Sequence, residues 1–204
     1  MRQRTIVYID GFNFYYGCIR RTPYRWLNLF RFSQAILPKN DIVKVKYFTA
    51  IVKGSPKDNS KSIRQKTYLR ALATIPSIEI FLGSFQAHSV RRPLADGSGS
   101  AVVVDMKEKG SDVNLATELL MDAFANAYDV AVIVTNDSDL AAPVRAVCKL
   151  GKAVGVLNPH RRQSVELRQC ASFVKSIRPW VLRQSLLPPL LQDANGEIHK
   201  PADW

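Results

Sequence analysis

The stretch RTIVYIDGFNFYYG, Arg4 to Gly17, starts as a strand and ends as the opening of a helix. Its apolar run TIVYI at 5–9 is continuous, which is typical of a strand covered on both faces. The run stops at Asp10, and Asn13 follows three residues later. A polar turn leading into a helix would explain this ending. Evidence for a functional role of Asp10 must therefore come from other acids that lie near it in the fold.

Similar apolar runs recur along the chain and predict five further strands, at 43–52, 78–85, 130–135, 153–157 and 172–177. Helical patterns lie between several of them, at 60–75, 111–128 and 138–151. This alternation predicts an α/β fold with a mostly parallel sheet that is covered on both faces. The segment 81–110 departs from it, because a Gly/Ser-rich loop between two strand patterns predicts an antiparallel hairpin extension.

Length and composition favour one domain at 1–180, followed by a tail at 181–204 that packs on the domain or contacts a partner. We expect no membrane partner, since no apolar run approaches the ~20 residues of a membrane span. The amino terminus lacks a signal-peptide pattern. The three cysteines are scattered, which favours a reduced, cytoplasmic protein and argues against a zinc site.

The charge is segregated along the chain. The net charge is +12, with basic residues dominating 20–70 and 140–183, whereas 105–139 holds eight acids and two lysines. A basic chain with one acidic island suits a polyanion-binding protein with a metal site. The alternative is that the basic faces are simply solvated.

Four carboxylates follow predicted strands or begin helices: Asp10, Asp112, Asp137 and Asp139. The carboxyl ends of parallel strands meet at one edge of a sheet, so these acids converge if the first and fourth strands are neighbours. Clustered carboxylates repel one another unless protonated or neutralised, and Mg²⁺ or Mn²⁺ prefers such oxygen ligands. As alternatives, Asp112 and Asp139 could cap helices, and Asp137 could be a turn acid.

Side chains near these acids are candidates for holding a phosphate. Asn13 could orient water or phosphate, and Lys109 could hold a phosphate oxygen as a point charge. Further candidates for contact with the phosphate backbone of a nucleic acid are Lys61, Arg64, Arg70, Arg91, Arg92, Arg161 and Arg162. Solvated surface is the alternative for each of them. The aromatic residues at 12–16 could stack on bases, although such residues more often pack the opening helix.

Three blocks of the sequence resemble the motifs of NYN domains, the LabA/DUF88-like branch of the PIN-like nuclease superfamily. The blocks are YIDGFNFYYG, KEKGSDVNLATELLMDAF and VAVIVTNDSDLAAPVRAVCKLGKAVGVL, and the resemblance spans roughly 4–177. It implies a Rossmann-like PIN-type three-layer sandwich and, for many members, metal-dependent ribonuclease activity. Asp10 and Asn13 match the first motif, Asp112 the middle acid, and Asp137 and Asp139 the last block.

The sequence departs from the family pattern at Asn136, where many relatives have Gly, and we expect this to alter the turn and not the ligands. Many PIN-like proteins form dimers, so the resemblance leaves a homodimer as one alternative for the oligomeric state.

The leading hypothesis is a cytoplasmic ribonuclease that uses Mg²⁺ or Mn²⁺ to activate water and cleaves single-stranded or loop RNA, as an endonuclease. Asp10, Asp112 and Asp137 would hold the metal, with Asp139 as a further ligand. The rival is a non-catalytic RNA-binding or adaptor module that uses the same cleft. A phosphohydrolase is disfavoured, since neither D-x-D-x-[TV] after the first strand nor GK[ST] is present.

Overall fold

The computed structural model describes residues 2–52 and 60–204. Within these residues, seven strands form one sheet; they are β1 (Arg4–Asp10), β2 (Asp41–Ala50), β3 (Ile78–Pro93), β4 (Ser100–Lys109), β5 (Val130–Val134), β6 (Ala153–Asn158) and β7 (Phe173–Ser176). The spatial order is β4-β3-β2-β1-β5-β6-β7. All neighbours are parallel except β3 and β4, which form the predicted antiparallel hairpin.

Strand β1 lies at the point where the strand order reverses. It pairs in parallel with β2 on one side and β5 on the other, with Asp10 opposite Phe48 and Ile9 opposite Val134. The first and fourth predicted strands are therefore neighbours, as the convergence of the acids requires. Open α/β sheets bind ligands at this crevice, at the carboxyl ends of the strands.

Helices cover both faces of the sheet, which gives the predicted three layers. The helices of the described residues are α1 (Gly11–Phe14), α2 (Leu29–Ile36), α3 (Lys61–Ala73), α4 (Ser111–Phe124), α5 (Ala141–Lys149), α6 (Val165–Cys170) and α7 (Pro179–Arg183). One apolar core joins β1 to α2, α3 and α7, and a second core on the opposite face joins it to α4, α5 and α6. Along β1, Val7 and Ile9 belong to the first core, whereas Ile6 and Tyr8 belong to the second, as alternation along a strand requires.

A buried ionic cluster fixes α4 on the sheet. The Nζ atom of Lys46 lies 2.6 Å from carboxylate oxygens of both Glu118 and Asp122. The hydroxyl of Tyr8 donates to Asp122 at 2.5 Å. Because Lys46 is only 5% exposed, these contacts give its charge the partners that burial demands. They also set the position at which α4 begins, which is where Asp112 lies.

The segment predicted as a tail is ordered against the domain. After α7, the strands β8 (Leu190–Asp193) and β9 (Gly196–His199) pair as an antiparallel hairpin around the turn at Asn195-Gly196. The ring of Trp204 lies 5.7 Å from Tyr68 between centroids. The boundary at residue 180 stays a prediction. In the described ranges no helix is both long enough and apolar enough to span a bilayer.

Candidate active site

Asp10 is a buried acid that also caps a helix. It ends β1 and is 5% exposed. Its Oδ1 accepts a hydrogen bond from the backbone N–H of Asn13 at 3.0 Å, and its Oδ2 accepts one from Oγ1 of Thr135 at 2.9 Å. Burial raises the pKa of Asp10, and the charge of Asp137 adds to this. Asp10 therefore does begin a turn into a helix, as the alternative interpretation says. Its burial near a second acid is not needed for capping and indicates an additional role.

Thr135 links the first acid to the second and was not singled out from the sequence. It follows β5 and is fully buried. The same Oγ1 that donates to Asp10 accepts from the backbone N–H of Asp137 at 3.1 Å. Oδ1 of Asp137 in turn accepts from the backbone N–H of Asp139 at 3.0 Å and caps the short 3₁₀ turn 138–140. Asp137 is thus the cap of this turn, and Asp139 is an exposed acid within it.

Asp112 lies in the first turn of α4 and does not cap it. Gly110 occupies the cap position with φ of 101°, and no side chain caps the helix there. The backbone N–H of Ser111 instead donates to Oε1 of Glu108 at 3.2 Å. The helix-cap alternative for Asp112 is therefore wrong, because the orphan N–H groups of the helix use a different carboxylate.

Asp112 is electrostatically coupled to the other predicted acids. Its pKa rises to about 6, first through burial and then through repulsion by Asp10, Asp137, Glu108 and Asp139. Asp112 thus lies within electrostatic reach of the other three predicted acids and of Glu108, which was not a predicted site residue. Among the described residues none of these five carboxylates forms an ion pair.

The donor set suits a hard cation that keeps most of its water. Within residues 2–52 and 60–204, no three or more His, Cys, Asp or Glu side chains are arranged to hold one ion together. Mg²⁺ is usually bound by one or two carboxylates and several waters. Unpaired, mutually repelling carboxylates fit that mode, and a cation among them would relieve the repulsion.

Asn13 ties together the loops that surround the acids. Its Oδ1 accepts from the backbone N–H of Asn136 at 3.0 Å and lies 3.1 Å from Nε2 of His160. Asn136 in turn accepts from the backbone N–H of Ser164 at 2.7 Å and donates to the carbonyl of Arg162 at 3.0 Å. The amide oxygen of Asn13 is therefore occupied, which leaves its NH₂ group for water or phosphate. His160 reaches Asn13 across 147 positions of the sequence, so sequence spacing gives no sign of this contact.

Two glycines permit close packing at this edge. A Cβ on Gly11 would lie 2.7 Å from the carbonyl oxygen of Phe48, and one on Gly17 would lie 2.8 Å from Cβ of Pro159. The Asp-Gly pair at the end of β1 thus has a packing reason. Gly17 allows the loop after β6 to approach the opening helix.

Several of the predicted RNA-contacting residues flank the acids. Lys109 is exposed at the end of β4, two residues before α4 begins. Arg161 and Arg162 are exposed in the loop that Asn136 holds. Lys61, at the start of α3, lines a separate cavity described below. Their contact with RNA stays a prediction.

Other basic candidates have partners within the chain. The guanidinium of Arg70 pairs with both carboxylate oxygens of Asp193, at 2.7 and 2.5 Å, and so fastens α3 to β8. Arg92 pairs with Asp105 across the β3–β4 hairpin at 2.8 Å. Its neighbour Arg91 is exposed on the same hairpin. The structure therefore gives Arg70 and Arg92 a structural use that the sequence did not reveal.

A cavity of about 330 Å³ opens beside the acidic cluster. It lies between the start of α1, the segment 25–29, and α3, and its wall includes Gly11, the residue after Asp10. The side chains that line it are mainly aromatic and cationic, and include Phe12, Phe14, Tyr15, Tyr16, Tyr47, Tyr68, Trp204, Arg20, Arg25, Lys61 and Arg64. The aromatic residues at 12–16, which are candidates for base stacking, all line this cavity, and the cavity itself has no signal in the sequence.

Comparisons with known proteins agree with the resemblance in the motifs. A curated protein, 6-hydroxy-3-succinoylpyridine 3-monooxygenase HspA of Pseudomonas putida (strain DSM 28022 / S16), is 29% identical, and the alignment covers 98% of this chain and 75% of that protein. A crystal structure of a protein of unknown function from Vibrio parahaemolyticus RIMD 2210633 superposes with a TM-score of 0.58 at 23% identity, covering 91% of this chain and 97% of that one. This second likeness supports the fold alone.

The family profile described as "NYN domain" matches residues 4–178, most of the chain. It includes β1, the start of α4 and the turn after β5, which carry the four acids. Assignment to the LabA/DUF88-like branch stays a prediction. The chain belongs to the NYN domain family, within the PIN-like nuclease superfamily.

Proposed function

We propose that this protein is a divalent-metal-dependent ribonuclease that cleaves single-stranded or loop RNA, as an endonuclease. One observation carries the proposal: Asp10 and Asp112 lie in one partly buried cluster with Asp137 and Asp139, and no cation among the described residues pairs with any of them. Uncompensated carboxylates that perturb one another's pKa are typical of functional sites. Membership of the NYN family supports the same conclusion.

Each residue of the cluster has a proposed role. Asp10, Asp112 and Asp137 would hold Mg²⁺ or Mn²⁺, one or two of them directly and the rest through its bound water, with Asp139 as a further ligand of that kind. Such an ion lowers the pKa of bound water and stabilises the leaving oxygen of a phosphodiester. Thr135 keeps the carboxylate of Asp10 in register with the Asp137 turn, since one hydroxyl bonds to both.

The groups around the acids would receive the strand. The NH₂ group of Asn13 is the proposed donor to water or a phosphate oxygen. Lys109, Arg161 and Arg162 would guide the polyanion toward the acids. We propose a cytoplasmic enzyme that acts as a monomer or a homodimer, with residues 1–180 as the nuclease domain.

The test is cleavage of a 5′-labelled single-stranded RNA with Mg²⁺, Mn²⁺ or EDTA. Wild type is compared with Asp137→Asn and with a matched control, Asp129→Asn. Asp129 pairs with Arg4 at the start of β1, the opposite edge of the sheet from Asp10. We expect cutting by wild type and control only, abolished by EDTA, with internal fragments. Equal cutting by Asp137→Asn would place the activity elsewhere.

A binding assay on the same RNA distinguishes the ribonuclease from the rival hypothesis of a non-catalytic adaptor module. An adaptor module predicts that wild type and Asp137→Asn bind RNA with equal affinity, or that the variant binds more tightly, with no turnover by either. Tighter binding is expected because the substitution removes a negative charge that repels phosphate.

A second candidate function comes from the curated relative, whose name describes hydroxylation of a small pyridine that bears an acid. The aromatic and cationic cavity favours it, because planar rings and carboxylates are what such a lining recognises. A monooxygenase reaction consumes O₂ and a two-electron reductant, and places one oxygen in the product and the other in water. The test is mass spectrometry of 6-hydroxy-3-succinoylpyridine incubated with the protein, O₂ and NADH. An unchanged substrate mass would remove this candidate.

A further inference from the structure

The cavity beside Asp10 has the chemistry of a nucleotide-binding site. We propose that it is a subsite for one nucleotide of the RNA strand, with the base between aromatic side chains and the phosphate at the cationic rim. This rests on the proposed ribonuclease function and specifies how the substrate would be held. A volume of about 330 Å³ is at the lower end of the range for small-ligand sites.

The opening helix forms the aromatic side of the cavity. After α1 the chain continues as a π-helical turn, Tyr15–Ile19, in which the backbone N–H of Arg20 donates to the carbonyl of Tyr15 at 2.8 Å. Tyr15, Tyr16 and Arg20 all line the cavity. Turns of this kind occur frequently at functional sites. Tyr16 is 50% exposed, so a large part of its ring is open to a ligand.

A second aromatic wall stands across the cavity. Tyr68 is held by a hydrogen bond from its hydroxyl to the carbonyl of Leu27 at 2.8 Å. The ring of Trp204 packs edge-on against Tyr68 and lies 6.4 Å from Trp26 between centroids. Tyr68 is buried and Trp204 is half-buried, whereas Tyr16 is at the rim. Aromatic faces of this kind stack on bases with little dependence on sequence.

Of the four cationic side chains that line the cavity, Arg64 pairs with Asp203 at 3.4 Å, and the other three have no carboxylate partner among the described residues. Within the described residues, Arg20, Arg25 and Lys61 form no ion pair. The guanidinium of Arg20 lies over the ring of Tyr16, 5.5 Å from its centroid. Arg25 donates to two backbone carbonyls, those of Arg20 and Asp203, at 2.8 and 3.4 Å. Its positive charge is thus fixed in place without being neutralised.

Position favours a nucleotide of a strand over a free aromatic acid. Gly11 in the cavity wall directly follows Asp10, so the cavity opens at the carboxyl end of β1. A strand that continues from this nucleotide past the end of β1 would bring a phosphodiester to the acids. Several cations also suit the successive phosphates of a strand better than the single charge of a small acid.

The test measures nucleotide binding without cleavage. The full chain carrying Asp137→Asn, in EDTA, is titrated calorimetrically with AMP, UMP, ribose 5-phosphate and nicotinate. We expect a nucleotide to bind at least about tenfold more tightly than ribose 5-phosphate, because stacking adds to the phosphate contact. Nicotinate, a ring with one carboxylate, should bind more weakly than either nucleotide.

Two substitutions at the cavity are paired with two outside it. Tyr16→Leu removes the exposed ring and Arg20→Gln removes the adjacent charge, and each should weaken nucleotide affinity by about fivefold or more. Trp180→Leu and Arg183→Gln remove an exposed ring and an exposed charge on α7, outside the cavity lining, and should leave affinity unchanged. All four positions are exposed, so the variants keep their core contacts.

The outcomes separate this inference from the ribonuclease proposal. Loss of nucleotide binding in the two cavity variants supports the subsite, whether or not the wild type cleaves RNA. Cleavage by wild type with no nucleotide binding, or with binding that the cavity variants share with the controls, overturns the subsite and leaves the nuclease intact. Nicotinate binding as tight as that of either nucleotide also overturns it and assigns the cavity to a small aromatic acid.

Discussion

Replacing Asp112 by Asn should stabilise the metal-free protein at neutral pH. In the fold, burial and then the charges of Asp10, Asp137, Glu108 and Asp139 raise the pKa of Asp112 from 3.8 to about 6. Above that pH the carboxylate is ionised in both the folded and the unfolded chain, and the folded chain bears the repulsion. Asparagine has nearly the same shape and no charge. The Asp112→Asn variant therefore keeps the packing around residue 112 and is free of the electrostatic repulsion.

The magnitude follows from the linkage between pKa and stability. The difference between 3.8 and about 6 corresponds to about 3 kcal/mol in the free energy of unfolding if taken in full. Asp112 is partly exposed, so solvent screening reduces this to roughly 1–2 kcal/mol. Asp112 also gains about 0.3–1 kcal/mol from the dipole at the start of α4, which the substitution gives up. We expect a net stabilisation of about 1 kcal/mol.

The sign depends on pH in a defined way. An acid whose pKa is raised by folding destabilises the fold above the folded value. The penalty disappears as pH falls from about 6 toward 3.8, because the folded chain takes up the proton first. An asparagine side chain does not titrate, so the advantage of Asp112→Asn should be complete above about pH 7 and nearly absent near pH 4.

Urea unfolding in EDTA at these two pH values measures the effect. Asp129→Asn is the matched control and should have the opposite sign, because Asp129 is paired with Arg4 and its pKa is lowered by that contact. Adding Mg²⁺ should stabilise wild type more than Asp112→Asn, since a ligand stabilises the state that binds it. If Asp112→Asn is less stable than wild type at neutral pH in EDTA, the carboxylate supports the helix start and our account of the cluster is wrong.

Three other substitutions test neighbouring contacts. Thr135→Val leaves the buried carboxylate of Asp10 without one donor and should lower the free energy of unfolding by about 1–3 kcal/mol. Thr135→Ser keeps the hydroxyl and should keep most of the wild-type stability. Urea unfolding of the two variants measures the difference. Lys46→Met should lower the free energy of unfolding by about 1–3 kcal/mol, because it leaves the partly buried carboxylates of Glu118 and Asp122 without their cation; a thermal midpoint equal to that of wild type would contradict this. Asn136→Gly removes two hydrogen bonds to the loop after β6, so hydrogen exchange should accelerate at Ser164 and stay unchanged in β1.

The central strands could be predicted from sequence because each is a continuous apolar run buried on both faces. β5 is buried at all five of its positions, and β1 is buried at six of seven. The helix α2 was missed, although Asn28 caps it by accepting from the backbone N–H of Arg31 at 3.0 Å. Its buried residues Leu29, Phe32, Ser33 and Ile36 follow the helical spacing, but they cover only two turns and one of them is a polar serine. Short elements of this kind depend on tertiary packing.

Some residues of the candidate site could likewise be predicted from the sequence, and others could not. Asp10 and Asp137 could be predicted because they directly follow buried strands whose ends meet. Thr135 could not, since its role depends on which oxygen of Asp10 faces it across the sheet. The contact between Asn13 and His160 joins residues 147 positions apart. The sequence shows residue types at such places, but the contact exists only after the loops have packed.

The segregation of charge along the chain acquires a structural meaning at the end of β1. The acidic island 105–139 supplies the start of α4 and the turn after β5, while the basic stretch 20–70 supplies the cationic wall of the cavity. Both reach the same edge of the sheet beside Asp10. A polyanion needs cations to be held, and a hydrated metal needs acids to be retained next to it. A small substrate with one carboxylate would need neither a cationic wall separate from the acids nor several unpaired cations. The arrangement therefore favours an extended RNA strand that crosses from the cavity to the acids.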